Sequence, residues 1–172
     1  MDRETQARAG QHRAIAVFEK RPNRARVTNR GTATVEDGLV CAFSDGTHAI
    51  DIDMPEAIGG TATAPSPGYF GRAAICSCIA IGIKMTAARE GLALNRISVS
   101  IEQDFDNRGV LGIPETSAVP SDTRITIAIS SSASAQMVED LVDRALRIDP
   151  WYLSFLHAQP VQITHETQTE VA

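Results

Sequence analysis

Aromatic side chains, cysteines and an excess of basic charge are all scarce in this sequence. Aromatic residues make up 5% of the 172 positions, and 16 Lys and Arg stand against 21 Asp and Glu, for a net charge of −5. A general nucleic-acid-binding protein needs a basic face and a recognisable reading motif. We therefore expect no nucleic-acid partner. The three cysteines, an odd number, do not form a disulfide framework.

Long hydrophobic runs are also missing. The longest uncharged apolar run, 73–83, lies between Arg72 and Lys84, and a membrane-spanning helix needs roughly 20 apolar residues. The first 20 residues carry scattered charges and lack the apolar segment of a signal peptide. No polybasic segment points to anionic lipid, so we expect no membrane partner. Together with the unpaired cysteines, these features predict a cytoplasmic protein whose thiols stay reduced.

The hydrophobic fraction of 43% is enough for one domain with a real core. Apolar periodicity, turn residues and helix caps predict helices and strands in alternation. In chain order they are a helix over 4–20, strands over 24–35, 39–43 and 47–54, a long helix over 68–90 that stops at Gly91, strands over 96–105 and 123–130, a helix from the Ser134 cap to 148, a short helix over 151–157 and a last strand over 160–165. This order predicts an α+β fold with helices on largely antiparallel sheet.

Two of the three cysteines lie one residue apart on the long predicted helix. Because successive helical residues are about 100° apart, Cys76 and Cys78 point about 200° apart. They cannot form a disulfide with each other or share one metal ion, and we expect neither a metal nor a cofactor. Two interpretations stay open for each cysteine: a small buried hydrophobe, or a reactive thiolate stabilised by a cation.

A row of arginines on the polar face of the predicted 24–35 strand could supply that cation. Arg26 and Arg30 are the candidates to stabilise a Cys78 thiolate, from this chain or from a partner chain. The alternative for this row is an ordinary solvated strand face.

The stretch GGTATAPSPGYFGRAAICSCIAIGIKMTAAREGL, residues 59–92, resembles the central segment of the OsmC/Ohr family. In that family a Gly-Gly loop and a proline precede a buried helix, with a cysteine eleven residues after the proline. Counting from Pro67 gives Cys78. The resemblance covers about 24–166 and implies an intertwined homodimer with long buried helices. It implies one OsmC-like domain over 1–172, with a helical extension at 1–23 ahead of the family core at 24–166.

The resemblance also implies reduction of hydroperoxides by a cysteine thiolate, with Cys78 as the peroxidatic residue. A resolving cysteine, an arginine and a glutamate assist in the family, and this chain departs at all three. The glutamate position after the proline holds Gly68, the resolving position before Pro150 holds Asp149, and the arginine position falls near Glu36.

Two functional hypotheses follow from the match and its departures. The first is a one-Cys, thiol-dependent hydroperoxide reductase that acts on a small-molecule peroxide and is recycled by an external thiol reductant. The second is a non-peroxidatic protein of the same fold that binds a small apolar or electrophilic ligand at the dimer cleft. A purely structural dimer is a third alternative.

Overall fold

Two antiparallel sheets and one long helix organise the computed structural model, which describes residues 2–167. The elements follow in chain order: α1 (Arg3–Lys20), β1 (Thr32–Val35), β2 (Cys41–Ser44), β3 (Ala49–Ile52), α2 (Pro67–Glu90), β4 (Leu94–Asp104), α3 (Asn107–Val110), β5 (Asp122–Ser131), α4 (Ala135–Leu146) and α5 (Pro150–Leu156). The α+β prediction and its antiparallel strands are confirmed.

The two sheets have different roles. Strands β1, β2 and β3 form a three-stranded meander, whereas β4 and β5 form a long two-stranded ribbon with Val99 opposite Ile127. The inward side chains of the ribbon alternate with exposed polar ones, and they pack against the hydrophobic core. Helix α2 therefore packs against the inner face of the ribbon.

The core is centred on α2. Ile75, Ile79 and Ile83 follow one another at four-residue spacing and are fully buried, together with Leu94 of β4 and Leu141 of α4. By length and composition α2 could cross a membrane. Its isoleucines, however, form the centre of the core, so α2 is the core helix of this fold.

The expectation that α2 is buried holds for one face only. The face that carries Ile81 and Met85 is open, with Ile81 58% exposed. The predicted bounds of α2, 68–90, agree with the structure to within one residue: the helix begins at Pro67, and Gly91 ends it with a left-handed φ of 75°. Helix α1 lies along the C-terminal half of α2, where Glu4 pairs with Lys84.

The prediction of a strand over 24–35 is wrong for its first part. Pro22–Ala25 is a 3₁₀ turn, and strand pairing begins only at Thr32. Alternating apolar and polar residues form a strand only where a neighbouring strand supplies hydrogen bonds.

The predicted last strand over 160–165 is also wrong. This segment has no secondary structure in the described chain, and Val161 and Ile163 are 79% and 76% exposed. Its alternating pattern finds no strand to pair with among residues 2–167.

A buried carboxylate holds the loop that leads into α2 by accepting hydrogen bonds from it. Asp53 is 1% exposed, and its Oδ2 accepts hydrogen bonds from the backbone and hydroxyl groups of both Thr61 and Thr63, at 2.7–3.1 Å. These bonds, that of the Thr61 hydroxyl foremost, hold the pKa of Asp53 well below its usual range. Gly60 lies so close to the Met54 carbonyl that a Cβ would be 1.8 Å from the oxygen.

The other carboxylate oxygen of Asp53, Oδ1, accepts from the backbone N–H of Met54 at 2.7 Å. We expect Asp53→Asn to destabilise the protein, because an amide has only one acceptor oxygen and cannot serve the donors of both carboxylate oxygens. Tm at pH 7 should fall by about 5 °C or more. A depressed folded-state pKa stabilises the fold above the unfolded pKa of about 3.9, and that stabilisation is lost as pH falls through the folded value. The difference in Tm between wild type and variant should therefore shrink in acid.

The matched control is Asp51→Asn, which changes an exposed carboxylate two residues away on β3. Thermal unfolding followed by circular dichroism measures both variants. Equal Tm values for the two at pH 7 would mean that the Asp53 carboxylate does not hold the loop.

Candidate functional site

A cavity of about 490 Å³ lies between α2, the end of α4 and the start of α5. Most of its walls are apolar. Its lining includes Ala74, Ile81, Gly82, Met85, Ile148, Pro150 and Trp151, with Cys78, Arg89 and Asp149 among its polar groups. Apolar walls with a few convergent polar groups are typical of a small-molecule site.

Helical geometry brings Cys78 into this cavity. Ala74, Cys78, Gly82 and Met85 follow at spacings of four, four and three residues, so they share one face of α2. The isoleucine stripe occupies a different face and points into the core. Cys76 belongs with that second face and packs against the core. The predicted separation of the two thiols is confirmed.

The surroundings of Cys78 favour the neutral thiol. Burial raises the pKa of Cys78, and the nearby Asp149 carboxylate raises it further. The backbone N–H of Trp151 acts in the opposite direction on the pKa, but it does not outweigh the other two effects. Within one chain Cys78 is therefore a partly buried thiol beside a negative charge.

Asp149 is fixed by the start of α5. Its Oδ1 accepts a hydrogen bond from the backbone N–H of Tyr152 at 2.8 Å and so caps the helix. The residue is 3% exposed, and its Oδ2 is buried without a hydrogen-bond partner among the described residues. That oxygen faces α2, at 3.2 Å from where a Cβ on Gly82 would lie.

The arginines proposed from the sequence do not reach Cys78 within this chain. Arg26 and Arg30 are exposed in the segment between the 3₁₀ turn and β1, and neither lines the cavity. The lining instead includes Arg89, whose guanidinium donates to Gln11 at 2.6 Å and to Thr86 at 2.8 Å. Sequence reasoning missed Arg89, although it lies eleven residues after Cys78, three helical turns along the same face.

The other two cysteines lie elsewhere. Burial raises the pKa of Cys76 against a smaller opposite effect from Arg72. Cys41 is on β2, opposite Ile52 of β3. Neither lines the cavity, and neither forms a disulfide. Across residues 2–167 we find no group of three or more His, Cys, Asp or Glu side chains that could hold a metal ion.

Comparison with solved structures places this fold among known ones. An OsmC-like protein of Mycoplasma pneumoniae matches with a TM-score of 0.64 at 13% identity, over 76% of this chain and 88% of that one. An organic hydroperoxide resistance protein OsmC of Legionella pneumophila matches with a TM-score of 0.58 at 20% identity, over 75% and 89%. The organic hydroperoxide resistance protein OhrB of Bacillus subtilis matches with a TM-score of 0.50 at 17% identity, over 74% of this chain and 90% of that one.

Identities this low establish the shared fold and no more. No curated protein sequence matches the chain. The sequence model of one family does match, over residues 60–166, a range that contains α2, the β4–β5 ribbon and every residue named above as lining the cavity. The protein is therefore a member of the OsmC-like protein family.

Proposed function

We propose that this protein reduces hydroperoxides at Cys78 in a one-Cys cycle that uses an external thiol. The observation that carries the proposal is the position of Cys78 on the wall of an apolar cavity, in a family where similar folds include proteins named for organic hydroperoxide resistance. Such a cavity suits the organic part of an alkyl or aryl hydroperoxide.

The proposed chemistry balances with two thiol equivalents. The Cys78 thiolate attacks one oxygen of the hydroperoxide, the O–O bond breaks, and the alcohol leaves with a proton as the sulfur becomes a sulfenic acid. One external thiol condenses with the sulfenic acid and releases water. A second thiol attacks this mixed disulfide, regenerates Cys78 and leaves as the external disulfide. An external thiol is needed because neither Cys41 nor Cys76 lines the cavity.

The proposal requires a cation that the single chain does not place at Cys78. We propose that the protein is a homodimer and that Arg26 or Arg30 of a second copy supplies it. In support, large apolar side chains are exposed on the two helices α2 and α5, which both line the cavity: Tyr69, Ile81, Met85, Trp151 and Phe155. A second copy on this surface would also close the cavity from water. The free thiols fit a cytoplasmic location.

Consumption of cumene hydroperoxide with dithiothreitol as reductant tests the function. We expect Cys78→Ser to lower the rate by about a hundredfold or more, because a hydroxyl is a far weaker nucleophile than a thiolate at neutral pH. Cys76→Ser is the matched control, two residues away on the same helix, and should keep most of the activity. Turnover by Cys78→Ser at the parental rate would refute the proposal.

A second candidate function is favoured by one observation, the raised pKa of Cys78. A thiol held neutral reacts slowly with peroxide, which would suit a protein that binds a small apolar or electrophilic ligand without turnover. One equivalent of cumene hydroperoxide and a sulfenic-acid trap such as dimedone separate the two candidates. Rapid labelling of Cys78 supports the reductase, and a cavity that binds ligands while Cys78 stays unlabelled supports the binding protein.

A further inference from the structure

Arg89 brings a positive charge to the wall of the cavity, where it is partly buried. Its guanidinium donates to two neutral oxygens, Gln11 Oε1 at 2.6 Å and Thr86 Oγ1 at 2.8 Å. Among residues 2–167, no carboxylate forms an ion pair with it. Taking a cation out of water without a counter-ion costs free energy. An anionic group of a ligand would therefore be favoured at this guanidinium.

The acidic side chains that come closest to this role are engaged elsewhere. Glu90 follows Arg89 in the chain, but both of its carboxylate oxygens accept hydrogen bonds from Arg144, at 3.0 and 2.7 Å. Asp149 also lines the cavity, but its carboxylate caps α5 and lies beside the Cys78 thiol. The charge of Arg89 is therefore available to a ligand in the cavity.

We propose that helix α1 completes this site, so that the cavity binds apolar molecules that end in a carboxylate, which pairs with Arg89 as Gln11 positions it. A guanidinium carries five N–H donors in a planar fork that matches a carboxylate. Gln11 and Thr86 occupy two of these donors, and the others remain for the ligand. The proposal goes beyond hydroperoxide reduction and does not rest on it.

Helix α1 lies outside the part of the chain that matches the family, which begins at residue 60. It packs along α2 and is fastened there by polar contacts at two places. Glu4 pairs with Lys84, and Gln11, on the same face of α1 two turns later, accepts from Arg89. The anion site is therefore a property of this chain, because its positioning residue comes from α1.

The rest of the cavity fits the apolar part of such a ligand. Ile81, Met85, Ile148 and Pro150 offer hydrocarbon walls, and a volume of about 490 Å³ leaves room for a ring and a short chain.

The charges in the cavity also set the orientation of the ligand. The bond from Arg89 to Thr86, three residues earlier, directs the guanidinium back along α2 towards Cys78. Asp149, beside Cys78, repels an anion. The carboxylate should therefore lie at Arg89, with the apolar part towards Cys78.

Isothermal titration calorimetry of the full chain at pH 7 tests the site with 4-phenylbutanoate and 4-phenylbutan-1-ol. The two probes share their ring and chain length and differ in charge. We expect the carboxylate to bind about tenfold more tightly than the alcohol, because hydrogen bonds between ionised groups are about twice as strong as neutral ones. Arg89→Gln should abolish this preference and leave the affinity for the alcohol unchanged. Glutamine is nearly as good a helix former as arginine, so α2 should persist.

Gln11→Glu tests the part that α1 plays. The variant keeps an acceptor oxygen for Arg89 but adds a negative charge, so an internal carboxylate takes the place of the ligand's. We expect the preference for 4-phenylbutanoate to vanish while Tm stays the same or rises, since the bond to Arg89 becomes charge-assisted. Gln6→Glu is the matched control, because it makes the same change at an exposed position of α1 and should keep the preference.

Equal affinity of the wild type for the two probes, or no binding of 4-phenylbutanoate, would overturn the proposal. So would an equal loss of preference in Gln6→Glu and Gln11→Glu, which would show an effect of net charge alone. An undiminished preference in Arg89→Gln would also overturn it, by placing the carboxylate elsewhere, for example on the arginine that a second copy is proposed to bring to Cys78. Hydroperoxide turnover is not a readout here, so either proposal can fail without the other.

Discussion

Asp149→Cys should give Cys78 an internal partner, so that peroxide closes a disulfide between Cys78 and the new thiol. The Asp149 carboxylate lies close enough to Cys78 to raise its pKa, and a cysteine side chain would start from the same Cβ. Removing the carboxylate also removes a negative charge, which lowers the pKa of Cys78 and increases its thiolate fraction. Both effects favour attack on peroxide and then resolution within the chain.

Mass spectrometry in a Cys41→Ser, Cys76→Ser background measures the outcome. One equivalent of cumene hydroperoxide should remove about 2 Da and both free thiols, as expected for a disulfide. Asp149→Ser in the same background is the control, because it removes the charge without adding a thiol and should stop at the sulfenic acid. Diamide, which oxidises dithiols without a peroxide step, tests the geometry alone.

A comparison of diamide with peroxide shows which step fails if no disulfide forms with peroxide. If diamide closes the disulfide and peroxide does not, positions 78 and 149 are within reach but Cys78 does not attack peroxide, and the proposed reductase activity is wrong. If neither oxidant closes the disulfide, the Cα atoms of residues 78 and 149 lie outside the range of roughly 4.4–6.8 Å that a disulfide allows.

The features that were predictable from the sequence are those fixed by neighbours along the chain. The end of α2 at Gly91 depends on one residue with a left-handed φ. The separation of Cys76 from Cys78 depends only on the angle between successive helical residues. The same angle places Cys78 on one face with Gly82 and Met85, so this side of the cavity lining follows from the helix alone.

The other half of the cavity depends on how α5 docks against α2. The sequence resemblance identified Asp149 only as a missing resolving cysteine. The structure makes it a buried charge beside Cys78, a role that no local pattern signals. Its cap on Tyr152 fixes Oδ1, and the packing of α5 then decides where Oδ2 points.

Strands were the least predictable elements for a related reason. Segments 24–31 and 160–165 carry apolar residues at strand spacing, yet neither is a strand in the described chain. A strand exists only where another strand takes up its N–H and C=O groups, and the choice of neighbour lies far away in sequence. Where the neighbour is close in sequence, as in the meander of β1, β2 and β3, the order of strands and their turns were predictable.

Ile79→Ala should remove a large part of the stability of the fold. Ile79 is 1% exposed at the centre of the α2 stripe, and truncating a buried isoleucine to alanine costs about 2–5 kcal/mol from lost transfer energy and the resulting void. Since a typical domain is stable by about 5–15 kcal/mol, this one change should be evident in chemical denaturation. The midpoint should shift to lower urea concentration at an unchanged slope.

Ile81→Ala is the matched control, because it makes the same truncation two residues away on the open face of α2. In an isolated chain a change at a site 58% exposed should alter the free energy of unfolding by no more than about 0.5 kcal/mol. If a second copy covers this face, as proposed above, the loss at Ile81 should be larger and should grow with protein concentration, since association adds to apparent stability. A loss at Ile79 as small as that at Ile81, at every concentration, would instead mean that the isoleucine stripe is not the core.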